Sequence, residues 1–243
     1  MPLSNLNLEH DMNRRTVLSI VMATRNSEKH VSEALESLKT QSRPPDEIVV
    51  VDCVSSDRTR EIVNQFDHVK LIEQRSKGFQ NAWNEGICQA TGNIIGFLDS
   101  DDRLRADALG SSLRLLDRRN DIDAVFGQVE FFCDEDSWPA SFRTELKTGS
   151  HQADIPGCMI ARKSVFDEVG LFPEDWQILA DVVWFADLRQ SGVAVIRNPL
   201  TVLEKRVRSD GLSITATSQN IYRAELLRMA RRQVHANSAN ENA

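Results

Sequence analysis

Closely spaced cysteines are missing from this chain. Its four cysteines stand at positions 53, 88, 133 and 158 of 243 residues, which leaves neither a zinc knot nor a CxxC redox motif and fits thiols kept in a reducing compartment. Histidine motifs are missing too. His10, His30, His68, His151 and His235 form no HxH or HExxH pattern, so each is expected in a surface or structural role. No apolar run approaches the ~20 residues of a membrane-spanning helix. The first fifteen residues are polar and carry no signal-peptide core, and a cytoplasmic location is the expectation that follows. Positive charge is in deficit: Lys and Arg number 29 against 36 Asp and Glu, a net −7. General nucleic-acid binding, which leans on phosphate neutralisation, is therefore disfavoured. Internal repeats are absent.

What remains has the composition of an ordinary soluble globular protein, 41% hydrophobic and 27% charged. Its length suits one sizeable α/β domain. A short apolar run over residues 17–22 reads as a strand, and Asn26 or Ser27 can cap the helix after it. In that helix Val31, Ala34, Leu35 and Leu38 recur at i, i+3, i+4 and i+7, a single apolar stripe, before Pro44 and Pro45 stop it. Residues 47–52 form a second strand, and Ser56 or Asp57 caps a helix bearing Ile62, Val63 and Phe66. A strand over 69–72, a helix over 80–90 and a strand ending at Leu98 continue the alternation. Such alternation implies parallel strands joined by right-handed crossovers, with helices on both faces. Beyond it a helix over 106–116, a strand over 124–132, a loop-rich stretch over 133–155, a strand over 156–161, a helix over 181–190 ended by Gly192 and a strand over 193–196 are expected. Residues 219–235 read as a basic amphipathic helix through Ile221, Leu226, Leu227 and Val234.

The most informative run is Ile94-Ile95-Gly96-Phe97-Leu98-Asp99-Ser100-Asp101-Asp102, a buried-type strand ending in three carboxylates within four residues. Ligands of open α/β sheets sit beyond the carboxyl ends of such strands. If the chain stays extended, Asp99 and Asp101 point to one side, and two oxygen donors suit Mg²⁺ or Mn²⁺. Asp, Ser and Asp are also common turn and cap residues, and Asp102 can cap the next helix.

Taken in order, Val50-Val51-Asp52-Cys53-Val54-Ser55-Ser56-Asp57-Arg58-Thr59, Lys77-Gly78 through Asn84-Glu85-Gly86-Ile87 and Ala90-Thr91-Gly92, and Phe97-Leu98-Asp99-Ser100-Asp101-Asp102 resemble the signature of family 2 glycosyltransferases. The resemblance covers residues 17–116 well and continues more weakly to about 214. It implies a GT-A fold, a single Rossmann-like, mixed and mostly parallel sheet flanked by helices. It implies also a nucleotide-diphosphate sugar donor, of the UDP type, and a divalent cation, Mn²⁺ or Mg²⁺, held by Asp99 and Asp101. Asp52 matches the base-reading acid, able to accept from the uracil imide N–H. Thr24, Arg25, Asn26, Lys77, Asn84, Ser100, Asp99 and Arg208 complete the implied donor-binding set, with Asp57 read as a helix cap. Asp181 takes the catalytic-base position, and transfer with inversion follows. Glu174-Asp175 is the rival base pair.

Three departures stand out: Ala180 replaces an acid beside Asp181, Arg208 stands where a His is common, and Cys53-Val54 stands where Asp or Gly and then Gly are common. The stiff branched Val54 disfavours positive φ, so a differently shaped nucleotide loop is expected. A catalytically degenerate nucleotide-sugar binding protein is the alternative reading. A sugar nucleotidyltransferase is set low, because Ala23-Thr24-Arg25-Asn26-Ser27-Glu28 contains no glycine. The expected organisation is a flexible leader over 1–15, a transferase domain over 16–214, the amphipathic helix over 215–235 and a disordered tail over 236–243. The acceptor is a hydroxyl compound, carbohydrate, lipid-linked or other. The basic helix either touches an anionic membrane or, as preferred, closes the sheet or a homodimer through its apolar stripe.

Overall fold

The computed structural model describes residues 15–119, 121–134, 138–211 and 221–240. The expected leader, apart from Arg15, lies outside the described residues, as do the domain boundary at 214–215 and residues 241–243 of the expected tail.

Three long apolar runs make the centre of the sheet: β1 (Leu18–Thr24), β2 (Glu47–Asp52) and β4 (Ile94–Phe97). With β3 (Val69–Glu73) they pair in parallel, and the full order is β3-β2-β1-β4-β8-β6-β9-β5, with β7 on β6. The second half is mixed. β8 (Met159–Arg162) runs antiparallel to both β4 and β6 (Ala124–Phe132), while β6 pairs in parallel with β9 (Val195–Arg206). Two-residue strands β5 (Arg103–Leu104) and β7 (His151–Gln152) complete it. The expected mixed α/β sheet is what the chain forms.

Side-chain alternation divides the core into two faces. Leu18, Ile20, Met22 and Val50 point to one, where α1 (Val31–Lys39), α2 (Thr59–Val63) and α4 (Ala108–Asp117) pack. Val21, Ala23, Val49 and Val51 point to the other, covered by α3 (Phe79–Gln89), α5 (Ser164–Glu168) and α6 (Ala180–Ser191). The approach of α3 to β1 is close enough that a Cβ on Gly86 would meet Val21 Cγ1 at 2.3 Å. Gly192 ends α6 at φ 86°, a left-handed cap that glycine adopts without strain.

Several boundaries depart from expectation, among them the strand expected over 156–161, which is a 3-10 turn over Pro156–Cys158 followed by β8. β1 runs on through Thr24, which therefore sits in the strand rather than after it. β9 is three times the expected length and begins two residues late. Its partners jump from Arg197 to Thr201 while β6 advances only from Phe126 to Gln128, so residues 198–200 bulge and accommodate Pro199. The C-terminal helix, α7 (Ile221–Asn240), runs past 235. Its Leu226 and Leu227 are exposed, so the expected apolar stripe does not close the sheet; Glu225, Arg228 and Met229 face the body instead. No helix among the described residues is long and apolar enough to cross a membrane.

Candidate active site

The parallel strands β1, β2 and β4 end at one edge, and the candidate residues gather there. Thr24 is the register partner of Asp52. Both are fully buried, and Thr24 Oγ1 and Asp52 Oδ1 have no hydrogen-bond partner among the described residues. Leaving such groups unpaired in the interior costs about 1–3 kcal/mol each, and since both atoms are closed to solvent a ligand gains these bonds only by displacing the loops over the strand ends. The other Asp52 oxygen accepts the Ser55 N–H at 3.0 Å, with Arg60 Nε 3.9 Å away.

Asn26 is structural. At φ 50° it joins two loops, donating its N–H to Ser55 Oγ and accepting the Ser56 N–H at its side-chain oxygen, each at 2.9 Å. Asp57 is not the expected cap: the N-cap of α2 is Arg58, and Asp57, one residue earlier, accepts the Thr59 N–H and hydroxyl and the Glu28 N–H, tying the helix entry to the loop after β1. Arg25 and Lys77 are exposed at the rim.

The loop after β2 keeps the glycine-like conformation that its sequence disfavours: Val54 lies at φ 57° and is 65% exposed. A non-glycine residue there costs roughly 1–2 kcal/mol, against about 0.5–1 kcal/mol of extra unfolded-state freedom for glycine. Val54→Gly should therefore stabilise the protein by roughly 0.5–1 kcal/mol, read as a higher urea midpoint at unchanged m. An unchanged or lower midpoint would contradict the strain.

Beyond β4 the chain turns instead of staying extended: the Asp102 N–H donates to the Asp99 carbonyl at 3.1 Å. Ser100 faces inward and shares a 2.7 Å hydroxyl contact with Ser27, which takes it out of the donor-binding set. Each acid of the turn meets a cation from the end of β9 or just after it. Lys205 Nζ lies 2.9 Å from Asp99 and 2.8 Å from Asp102, and Arg208 Nη1 lies 3.1 Å from Asp101. Asp102 is no helix cap. It is buried and also accepts the Arg206 N–H at 2.8 Å. Arg206 itself donates to the Asp101 carbonyl, to Asp134 and to Glu33 of α1, with its guanidinium 4.5 Å over Phe132.

Burial pushes Asp102 up to about 7, with Asp99 and Asp101 adding to the rise and Lys205 opposing it. Burial pulls Lys205 down, but the three aspartates override it and hold the ammonium well above its ordinary value. His30 also lines this turn, where burial and then the charges of Arg206 and Arg208 lower it.

Asp181 occupies the first turn of α6, its carboxylate accepting the Val182 N–H at 2.9 Å. Burial, reinforced by the charge of Asp99, pushes it up to about 6. A carboxyl so placed is suited to proton transfer near neutrality. The rival pair lies outside: Glu174 and Asp175 are exposed, and Asp175 is paired with Arg228. Asn84 does not reach the site, because its side-chain amide exchanges two hydrogen bonds with the Phe172 backbone, 2.8 and 2.9 Å.

Sequence reasoning missed Lys205, Arg206 and His30. The trace of the two cations is the cluster at 205, 206 and 208, whose partners Asp99, Asp101, Asp134 and Glu33 lie 72 to 173 residues away; His30 leaves none.

The profile of "Glycosyl transferase family 2" matches residues 19–170. The chain is 28% identical over 185 residues to the uncharacterized glycosyltransferase alr2836 of Nostoc sp., a match taking in 68% of this chain and 56% of that protein. The chain thus spans little more than half of that relative's length. Among solved structures, Staphylococcus aureus TarS 1–349 in complex with UDP-GlcNAc superposes with a TM-score of 0.68 at 23% identity, over 82% of this chain and 61% of that one. The mannosyltransferase PcManGT of Pyrobaculum calidifontis, in complex with GDP-Man and Mn²⁺, gives 0.62 at 20% identity, over 83% and 60%. At these identities the likeness shows a shared fold.

Proposed function

The chain belongs to glycosyl transferase family 2, and we propose that it moves a sugar from a UDP-type nucleotide-diphosphate donor to a hydroxyl-bearing acceptor, with inversion at the anomeric carbon. The observation that carries the reading is the unpartnered pair of buried oxygens, Thr24 Oγ1 and Asp52 Oδ1, side by side where two parallel strands end. A carboxylate oxygen accepts the imide N–H of uracil, and a hydroxyl can donate to a ring carbonyl.

The acid turn next to it meets the diphosphate. Among the described residues no group of three or more His, Cys, Asp or Glu could hold a metal alone. Asp99 and Asp101 nevertheless each keep one carboxylate oxygen outside the Lys205 and Arg208 contacts, and their side chains are 28% and 27% exposed. One or two carboxylates plus substrate phosphates are what Mg²⁺ or Mn²⁺ takes. The donor set therefore fits a cation arriving with the nucleotide, which when bound supplies positive charge to the departing diphosphate. Arg208, a planar donor suited to phosphate, adds charge at the same end.

Asp181 accepts the proton of the acceptor hydroxyl as that oxygen attacks the anomeric carbon from the face opposite the nucleotide. The proton resides on its carboxylate. A nucleotide-sugar binding protein without turnover is the second reading, and the observation on its side is the closing of the acids by Lys205 and Arg208.

Thermal shift with UDP, GDP, TDP and CDP, each with and without Mn²⁺, tests donor recognition. UDP with Mn²⁺ is expected to give the largest rise, about 2.7 kcal/mol of stabilisation at a hundredfold excess over Kd, and Asp52→Asn should erase the preference for uracil. Equal shifts by all four nucleotides, or none, would overturn the assignment.

A further inference from the structure

We propose that Glu225 of α7 is a positioning residue for Asp181, acting through the backbone that enters α6. The proposal rests on Asp181 being the base. A helix begins with N–H groups that its own turns cannot satisfy, and the N-cap of α6, Leu179, has no side-chain oxygen to serve them. Glu225, from a distant helix, takes the N-cap N–H and fixes the two residues that lead into it. Its carboxylate accepts the N–H groups of Gln177, Ile178 and Leu179 at 2.7, 3.1 and 3.0 Å.

A carboxylate that is only 8% exposed is uncommon unless it is paired, and here three peptide dipoles are the partners. Such charge-assisted bonds are about twice as strong as neutral ones. Neighbours on α7 grip the same stretch. Arg228 stacks 4.3 Å from the Trp176 ring and donates to the Asp175 carbonyl at 2.9 Å, and Met229 packs on the cluster of Trp176, Leu179, Ala180 and Val183. Asp181 begins two residues after the last of the bonded N–H groups. The start of α6 thus has its orientation dictated by α7, and displacement of a reacting group by ~1 Å can cost ~100-fold in rate.

Glu225→Ala removes all three acceptors, and Glu225→Gln keeps one acceptor oxygen. The expected kcat falls about 30-fold for the first and about 3-fold for the second, with donor KM and UDP Kd within twofold of the parent, all measured well below each melting temperature. Arg232→Ala breaks an ion pair from α7 to Asp187, far along α6 from its start, and should leave kcat unchanged. If Glu225 acts through Asp181, Glu225→Ala causes no further loss of residual single-turnover rate in an Asp181→Asn background.

A folded Glu225→Ala protein with full kcat, or one whose loss persists in that background, overturns the proposal. Should Asp181→Asn itself keep full kcat, the base assignment fails and this inference with it. An inactive Asp181→Asn beside a fully active Glu225→Ala would sink the positioning role alone.

Discussion

Asp181→Asn is expected to lose about 10²–10⁴-fold in kcat while UDP affinity stays within a few-fold, and to gain stability at neutral pH. The two effects share one cause. Burial raises the folded-state carboxyl to about 6, against ~3.9 in an unfolded chain. Below about pH 4 both states hold the proton. Between there and about pH 6 only the folded state does, so stability falls as pH rises through that window, and above it the penalty of the buried charge is present in full. Asparagine removes the penalty, which after solvent screening is on the order of 1–2 kcal/mol, read as a higher melting temperature at pH 7.5 than at pH 4 relative to the parent. In the parent, kcat should rise with pH through an apparent pKa near 6. A protein that binds UDP without turnover would show the stability change and no rate to lose. Retained transfer in Asp181→Asn would remove Asp181 from the mechanism.

Lys205→Met should be the most destabilising single change at the site. It strips the ammonium from Asp102, whose side chain is 1% exposed, and from Asp99. Breaking a buried pair costs about 3–5 kcal/mol; with Lys205 itself 29% exposed, about 2–4 kcal/mol is expected. Asp102, already raised, rises further without its cation. Its penalty applies in full above the folded pKa and shrinks as the carboxyl protonates, so the variant should lose less stability at pH 5.5 than at pH 8. Asp102→Asn added to Lys205→Met should restore most of the loss, because a neutral amide needs no counter-charge. Additive losses in the double variant, by urea titration, would show that the pair is not what holds the turn.

The parallel half of the fold was legible because its strands are continuous apolar runs and its helices carry single stripes such as Val31, Ala34, Leu35 and Leu38. β9 was not, since the bulge at 198–200 breaks alternation and Pro199 reads as a stop. The site was half legible. The strand run located Asp99 and Asp101 at a strand exit, and the family resemblance singled out Asp52 and, at a helix start, Asp181, but a motif does not say where a side chain turns. Ser100 faces Ser27 and Asn84 faces Phe172 for reasons set by partners 73 and 88 residues away. Val54 taught the opposite lesson. Its branched Cβ disfavours positive φ, yet the backbone holds φ 57° beside Ser55 and Ser56, whose N–H groups are tied to Asp52 and Asn26.

Arg206 touches four parts of the chain at once: α1 through Glu33, the acid turn through the Asp101 carbonyl, the segment after β6 through Asp134, and the ring of Phe132. A change at Asp134 in the segment after β6 therefore reaches the acid turn within a single side chain. Grafting a new loop after β6 will also shift Arg206, and with it the Asp101 carbonyl, unless position 134 is carried across unchanged.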